Sequence, residues 1–198
     1  MAAPFRPLTR DGFIAELMAF AWTRRVWRID MHHTWYPSHA DYDGEACIAR
    51  MRASHVNERK FDDIAQHVTI APDGVIWTGR DWNTTPASVG GVLNRDAFMF
   101  EAIGNFDAGH DKLRGEQLTS VVMVIRAVQR RFRLPPEALL FHRDVPVTAK
   151  SCPGTSVDKA DVLRRVAKLE LPQVTPLAET VRRMVPRQRP AIALASRL

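Results

Sequence analysis

The sequence predicts an α/β (α+β) fold, a central mixed β-sheet flanked by helices. Short apolar or β-branched runs, the strand candidates, alternate with longer segments whose apolar residues recur at helical spacing. Pro72-Asp73-Gly74 is a strong turn signal between two of those runs, so at least one strand pair is a hairpin. The chain has 198 residues, 45% hydrophobic and 25% charged, which suits one ordinary domain able to bury a core without disulfide staples.

Thr9 or Asp11 can cap a first helix that carries Phe13, Leu17 and Phe20 on one face. Arg25 to Trp35 is rich in β-branched and aromatic residues and reads as a strand ended by Pro37. Ser38 to Gly44 is a polar loop. Glu45 to about Asn57 is helical, with Cys47, Met51 and His55 four residues apart. Ala65 to Ile70 and Val75 to Thr78 are the arms of the hairpin, and Asp81 to Arg95 is loop-like. Ala97 to Phe106 reads as a buried strand interrupted by one charge, Glu101. Glu116 to Phe132 is the clearest helix, with Leu118, Val121, Val122, Ile125, Val128 and Phe132 in one stripe, stopped by Pro135 and Pro136. Leu139 to Phe141 is a short strand leading into His142-Arg143-Asp144, and Ser156 to Leu169 is a last helix. Four prolines from Pro172 onward argue against a compact continuation, so residues 1–170 read as the domain and 171–198 as a tail.

The formal net charge is +6, and Arg182, Arg183, Arg187, Arg189 and Arg197 crowd that tail. Such a segment suits a polyanion (a phosphate-bearing envelope, an anionic membrane face or nucleic acid), or serves only as a solvated tail. No segment approaches the roughly 20 apolar residues of a membrane span, and the first residues lack the apolar stretch of a signal peptide. Synthesis in the cytoplasm, with action on the outside only after release or export, is the expectation. The two cysteines sit in unlike settings: Cys47 in an apolar helical pattern, Cys152 in the loop Lys150-Ser151-Cys152-Pro153-Gly154. That favours one core thiol and one functional thiol over a disulfide.

Catalytic zinc takes three protein ligands from His, Cys and carboxylates and leaves a fourth place for water. His32 at the end of a strand, His142 just after another and Cys152 on a Pro-Gly loop are candidates, all at element ends where a scaffold can aim side chains into a cleft. Spacing alone matches no compact zinc-finger pattern, and hydrogen-bonded core histidines are the other reading. Glu101 is a lone carboxylate among Phe98, Met99, Phe100, Ala102 and Ile103, costly to bury without a task or partner.

His32-His33-Thr34, the run from Phe61 through His67 to Ile70, Asp73 to Asn83, Ile103-Gly104-Asn105-Phe106 and His142-Arg143-Asp144 followed by Cys152-Pro153-Gly154 occur in this order. Together they resemble the peptidoglycan recognition protein and type-2 N-acetylmuramoyl-L-alanine amidase superfamily, over about residues 10 to 165. The resemblance implies that fold and a zinc-dependent amidase that cuts between N-acetylmuramic acid and L-alanine, with peptidoglycan or muropeptides as substrate and Zn²⁺ as cofactor. It implies His32, His142 and Cys152 as zinc ligands and Lys150 as the oxyanion stabiliser. Many members carry Tyr in an Asp-Ile-Gly-Tyr-His motif; here that place is Gln66, which cannot act as acid or base near neutral pH. The muropeptide-amidase branch uses instead a Glu on the strand that here holds Glu101, so Glu101 is the expected general base.

Thr34, Trp35, His67, Trp82 and Asn83 are the candidates for contacting substrate. His33 is expected to be structural, His55 to pack under the sheet, and His39 and His110 to lie on the surface. A monomer is expected, with no specific nucleic-acid partner and a possible anionic-envelope contact through the tail. A phage endolysin fits these features, as do an exported toxin and a recycling amidase. The rivals are a non-catalytic peptidoglycan-binding module and a nucleic-acid or membrane binder driven by the tail.

Overall fold

The computed structural model describes residues 5–146 and 149–172. The basic tail beyond residue 172 lies outside the described residues, and with it the expectation of an envelope contact. Six strands form one mixed sheet: β1 (Pro7–Leu8), β2 (Arg28–His33), β3 (Val68–Ile70), β4 (Ile76–Thr78), β5 (Ala97–Ala102) and β6 (Leu139–Phe141), in the order β1-β4-β3-β5-β2-β6. The strands β3, β5, β2 and β6 run parallel; β4 folds back on β3 in the expected hairpin, and the two-residue β1 closes the edge against it. That short edge strand is invisible to sequence reading, because two residues carry no period.

The helices are α1 (Arg10–Ala19), α2 (Glu45–Asn57), α3 (Gly115–Phe132) and α4 (Lys159–Lys168). Thr9 caps α1 by accepting the Gly12 amide at 3.1 Å. Val121, Val122, Ile125 and Val128 of the α3 stripe are buried, Leu118 and Phe132 only partly, and the helix ends where Arg133 turns left-handed ahead of the two prolines. Among the described residues no helix is long and apolar enough to cross a membrane.

Three strands are shorter than the residue pattern suggests, each for a local reason. At the start of β2, the Trp27 amide bonds the carbonyl of Asp96, and at its end Trp35 adopts φ of 58°. β5 stops before Gly104, whose φ of 141° redirects the chain. Ala65 and Gln66 spend their carbonyls on the amides of Ala87 and Arg80 rather than on a neighbouring strand. Helix α4 starts at Lys159, capped by Asp158 on the Ala160 amide, because Ser156 is held outside it by the Phe106 carbonyl.

Alternation along the strands gives the sheet two unlike faces. Ile29, Met31, Phe98, Phe100, Leu139 and Phe141 join α1, α3 and α4 in the main core. Residues one step away, Asp30, His32, Met99 and Glu101, face the opposite side, where α2 packs through Cys47, Ile48 and Met51 on Ile64, Ala71, Trp77 and Ile103. The register pairs Asp30 with Met99 and His32 with Glu101 across β2 and β5.

Candidate functional site

On the α2 side of the sheet lies a cleft of about 750 Å³. Its floor is His32, Met99 and Glu101; α2 forms one wall, and the segment Ala149 to Cys152 forms another. The parallel pairing of β2 with β6 brings His142, the first residue of the turn after β6, beside His32. Their Nδ1 atoms are 3.2 Å apart, and the Cys152 sulfur is 3.4 Å from the His32 Nδ1. The three donor atoms lie within 4.8 Å of one another, and all three residues are buried.

Arg143 and Asp144 hold this geometry. The Phe141 amide donates to Asp144 at 3.0 Å, and Lys159 pairs with the same carboxylate at 2.7 Å, which closes the turn under His142. The Arg143 amide donates to the Cys152 carbonyl at 2.8 Å, while its guanidinium donates to the carbonyls of Gly154 and Val157. The His-Arg-Asp sequence is thus one presented imidazole and two residues that tie the cysteine loop to it. Gly154 is required where it stands: its φ is 112°, and a Cβ there would lie 2.4 Å from the Phe106 carbonyl oxygen. Asp107 fixes the same loop by accepting from the Thr155 amide at 2.9 Å and the Ser151 hydroxyl at 3.0 Å. Cys47 and Cys152 are both free thiols.

The electrostatics follow from burial. His32 is held well below the usual imidazole range, by desolvation first and then by His142 and Lys150. His142 is lowered for the same leading reason. Burial pushes the Cys152 thiol up to about 12. Uncharged imidazoles, and a thiol that ionises only beside a strong positive charge, are a donor set suited to a divalent cation such as zinc. Glu101 is pushed up to about 7 by burial, with Arg59 and Lys150 acting in the opposite direction. A carboxyl poised near neutrality in a cleft is equipped to take and return a proton.

Thr34 and Trp35 line the cleft, as does Lys150. The Thr34 hydroxyl is committed to the fold: it donates to the Pro37 carbonyl and accepts the Gly104 amide. Trp35 is 62% exposed at the rim beside Tyr36.

Three candidates for substrate contact are not in the cleft. His67 is wholly buried on the core side, stacked 5.0 Å from Phe98, with Nδ1 accepting the Met99 amide and Nε2 near the Thr84 carbonyl. Trp82 is stacked on Trp22 within the main core. Asn83 spends its side chain on the Thr23 amide and the Ala21 carbonyl. Closeness in sequence to motif residues does not bring these side chains into the cleft, because His67 and Trp82 pack against Phe98 and Trp22 instead. Gln66 is also absent from the cleft; its amide donates to Thr69 at 2.8 Å.

His33 accepts the Phe106 amide at 3.2 Å, the structural role expected, and His55 accepts the Ala65 amide from α2. His110 is exposed. His39 is not a simple surface residue: it is half-buried against Gln117 at 2.9 Å and the Phe106 ring. Sequence reading passed over Asp30 and Ser88, which contact the His32 side of the cleft, and Arg59 and Arg50 on its wall. Asp30 carried a signal that could have found it, since it is a second lone carboxylate in a buried strand. Ser88, in a long loop, carried none.

A profile described as N-acetylmuramoyl-L-alanine amidase matches residues 22–155. A mouse N-acetylmuramoyl-L-alanine amidase is 27% identical over 130 residues, 64% of this chain; the chain spans only 24% of that relative's length. Among solved structures, a Drosophila PGRP-LB variant in complex with tracheal cytotoxin is similar at a TM-score of 0.59 and 24% identity, over 72% of this chain and 83% of that one. The amidase LysC from Clostridium intestinale is similar at 0.60 and 22% identity, over 75% and 93%. At those identities the structural likeness speaks for the fold. The profile match, which takes in His32, Glu101, His142 and Cys152, places the chain in the N-acetylmuramoyl-L-alanine amidase (Amidase_2) family.

Proposed function

We propose that the chain is a zinc-dependent amidase that hydrolyses the bond between the lactyl carbonyl of N-acetylmuramic acid and the nitrogen of L-alanine in peptidoglycan. The observation that carries this reading is the convergence of two imidazoles and one thiol within 4.8 Å, beside a carboxyl poised near pH 7. His32, His142 and Cys152 would hold the ion, with one place open to the cleft. Bound there, zinc would polarise the scissile carbonyl and lower the pKa of a water toward about 7.

Glu101 takes a proton from the attacking water and returns it to the departing alanine nitrogen, which leaves as an amine. The Lys150 ammonium, on the wall of the cleft, would stabilise the oxygen on which charge gathers as the carbonyl is attacked. Trp35 and Tyr36 offer apolar faces at the rim for the glycan or the stem peptide. For the setting we propose a wall-lytic enzyme of endolysin type, made in the cytoplasm and acting after release. The cationic tail supports an envelope contact.

The test is release of stem peptides from purified peptidoglycan. Glu101→Ala and Cys152→Ala should each abolish it, and wild-type-like release by either variant overturns the assignment. One observation favours a second reading, a binding module without turnover: Gln66 stands where many relatives use Tyr, and its amide is bound to Thr69, away from the cleft. Metal analysis of the purified wild type separates the two, since a pure binder need hold no zinc.

A further inference from the structure

His32 is backed by a chain of polar groups outside the proposed ligand set. Its Nε2, the nitrogen turned away from His142 and Cys152, lies 2.8 Å from the Ser88 hydroxyl. That hydroxyl lies 2.7 Å from Oδ2 of Asp30, which is wholly buried. Arg28 grips both oxygens of Asp30, through Nε at 2.6 Å and a terminal nitrogen at 3.1 Å. Asp30 and His32 are two residues apart on one strand and share a face, so β2 itself sets the span that Ser88 bridges.

The loop that brings Ser88 is held in turn. The Ser88 and Gly90 amides both donate to the Asn94 side chain, at 3.0 and 2.8 Å, and Arg28 also donates to the Leu93 carbonyl.

The direction of these bonds is fixed by what each group can give. The Asp30 carboxylate, held by a guanidinium, offers only lone pairs. Ser88 must therefore give its one proton to Asp30, and its oxygen then accepts. The proton between Ser88 and His32 belongs to His32 Nε2. That leaves the Nδ1 lone pair directed at His142 and Cys152.

We propose that Ser88 and Asp30 are positioning residues for the metal site: they hold His32 as its Nε2–H tautomer and fix its ring so that Nδ1 is ready to bind the ion. This rests on the reading of His32 as a ligand. It assigns the Ser88 stretch of the loop between Asp81 and Arg95 a function, and it accounts for a buried Asp30, paired with the partly exposed Arg28, that the reaction itself does not use. An outer partner of this kind changes metal affinity about 10- to 100-fold.

The test uses the full chain, with zinc affinity measured by competition against a chromophoric chelator and the His32 tautomer read from imidazole nitrogen shifts in the zinc-free protein. Wild type should bind zinc with His32 already in the Nε2–H form. Ser88→Ala should weaken zinc binding about 10- to 100-fold and leave a mixture of tautomers. Ser88→Thr, which keeps the hydroxyl, should restore both. Asp30→Asn should shift the tautomer balance in the same direction as Ser88→Ala. Wild-type affinity and a single tautomer in Ser88→Ala would overturn the proposal, as would a Ser88→Thr variant as weak as Ser88→Ala. A wild type that binds no zinc would instead sink the amidase reading. Melting of each zinc-free variant shows whether it is folded, and the tautomer pattern is a readout that a purely structural loop role would not move.

Discussion

The two faces of the sheet are made by the same strands and do opposite work. On the α3 face, Ile29, Met31, Phe98 and Phe100 are wholly buried in the main apolar core. On the α2 face, one residue along each strand, stand Asp30, His32 and Glu101, and burial lowers the pKa of His32 and raises that of Glu101. The comparison teaches that stability and chemistry are separated by a single step in register. His32 and His33 illustrate it: neighbours in sequence, one turns into the cleft toward Cys152, and the other braces the Phe106 loop from the opposite side. A strand with period two can carry both tasks; a helix would have placed those two side chains only about 100° apart around its axis.

The sharpest break between the faces should come from Cys152→Ala. It should eliminate zinc binding and turnover while the zinc-free protein melts close to the wild-type temperature, because the thiol's polar contacts, to His32 and the His33 backbone, lie on the cleft side and not in the main core. A large fall in zinc-free melting temperature would mean that the cleft face also carries stability. Next in size, Glu101→Gln should lower kcat/KM about 10²- to 10⁴-fold with zinc content unchanged.

The pH dependence carries a definite sign. Because its folded pKa, about 7, lies above the ordinary carboxyl value of 4.5, Glu101 favours the folded state while protonated. That contribution is complete below pH 4.5 and is lost as pH rises through about 7. Glu101→Gln should therefore raise the melting temperature of the zinc-free protein at pH 8 and leave it nearly unchanged at pH 4. In the zinc-loaded enzyme, where the cation's charge favours the ionised carboxylate, the base must be unprotonated, so wild-type kcat/KM should climb with pH through the acidic range to a plateau at or below about 7. A flat profile across that range would remove Glu101 from the proton transfer.

On the opposite face, Phe98→Ala should cost about 3–5 kcal/mol in chemical denaturation, with activity per folded molecule retained. The smallest effects separate rim from core-side polar residues. Trp35→Ala should raise KM severalfold with kcat unchanged, whereas Asn83→Ala should leave KM unaltered, since its amide serves the chain near Thr23. An equal KM effect from both would extend the substrate groove to the far edge of the sheet.

The sequence by itself determined the elements and the list of chemical groups. Apolar period and turn residues marked α2 and β6 to the residue and the β3–β4 hairpin nearly so, because those signals are local and strong. The unlike surroundings of Cys47 and Cys152 pointed to two separate thiols, and a lone acid in an apolar run pointed to Glu101. The tertiary structure alone decided which groups meet. The parallel pairing of β2 with both β5 and β6 brings residues 32, 101 and 142 together, and Arg143 then carries Cys152 in. Packing took His67 and Trp82 into the main core, and the bonds of Asn94 brought the Ser88 loop beside Asp30. The reason is physical: a residue's chemistry is its own, but its neighbours are set by strand register and by loops held through backbone hydrogen bonds, and neither leaves a local mark on the chain.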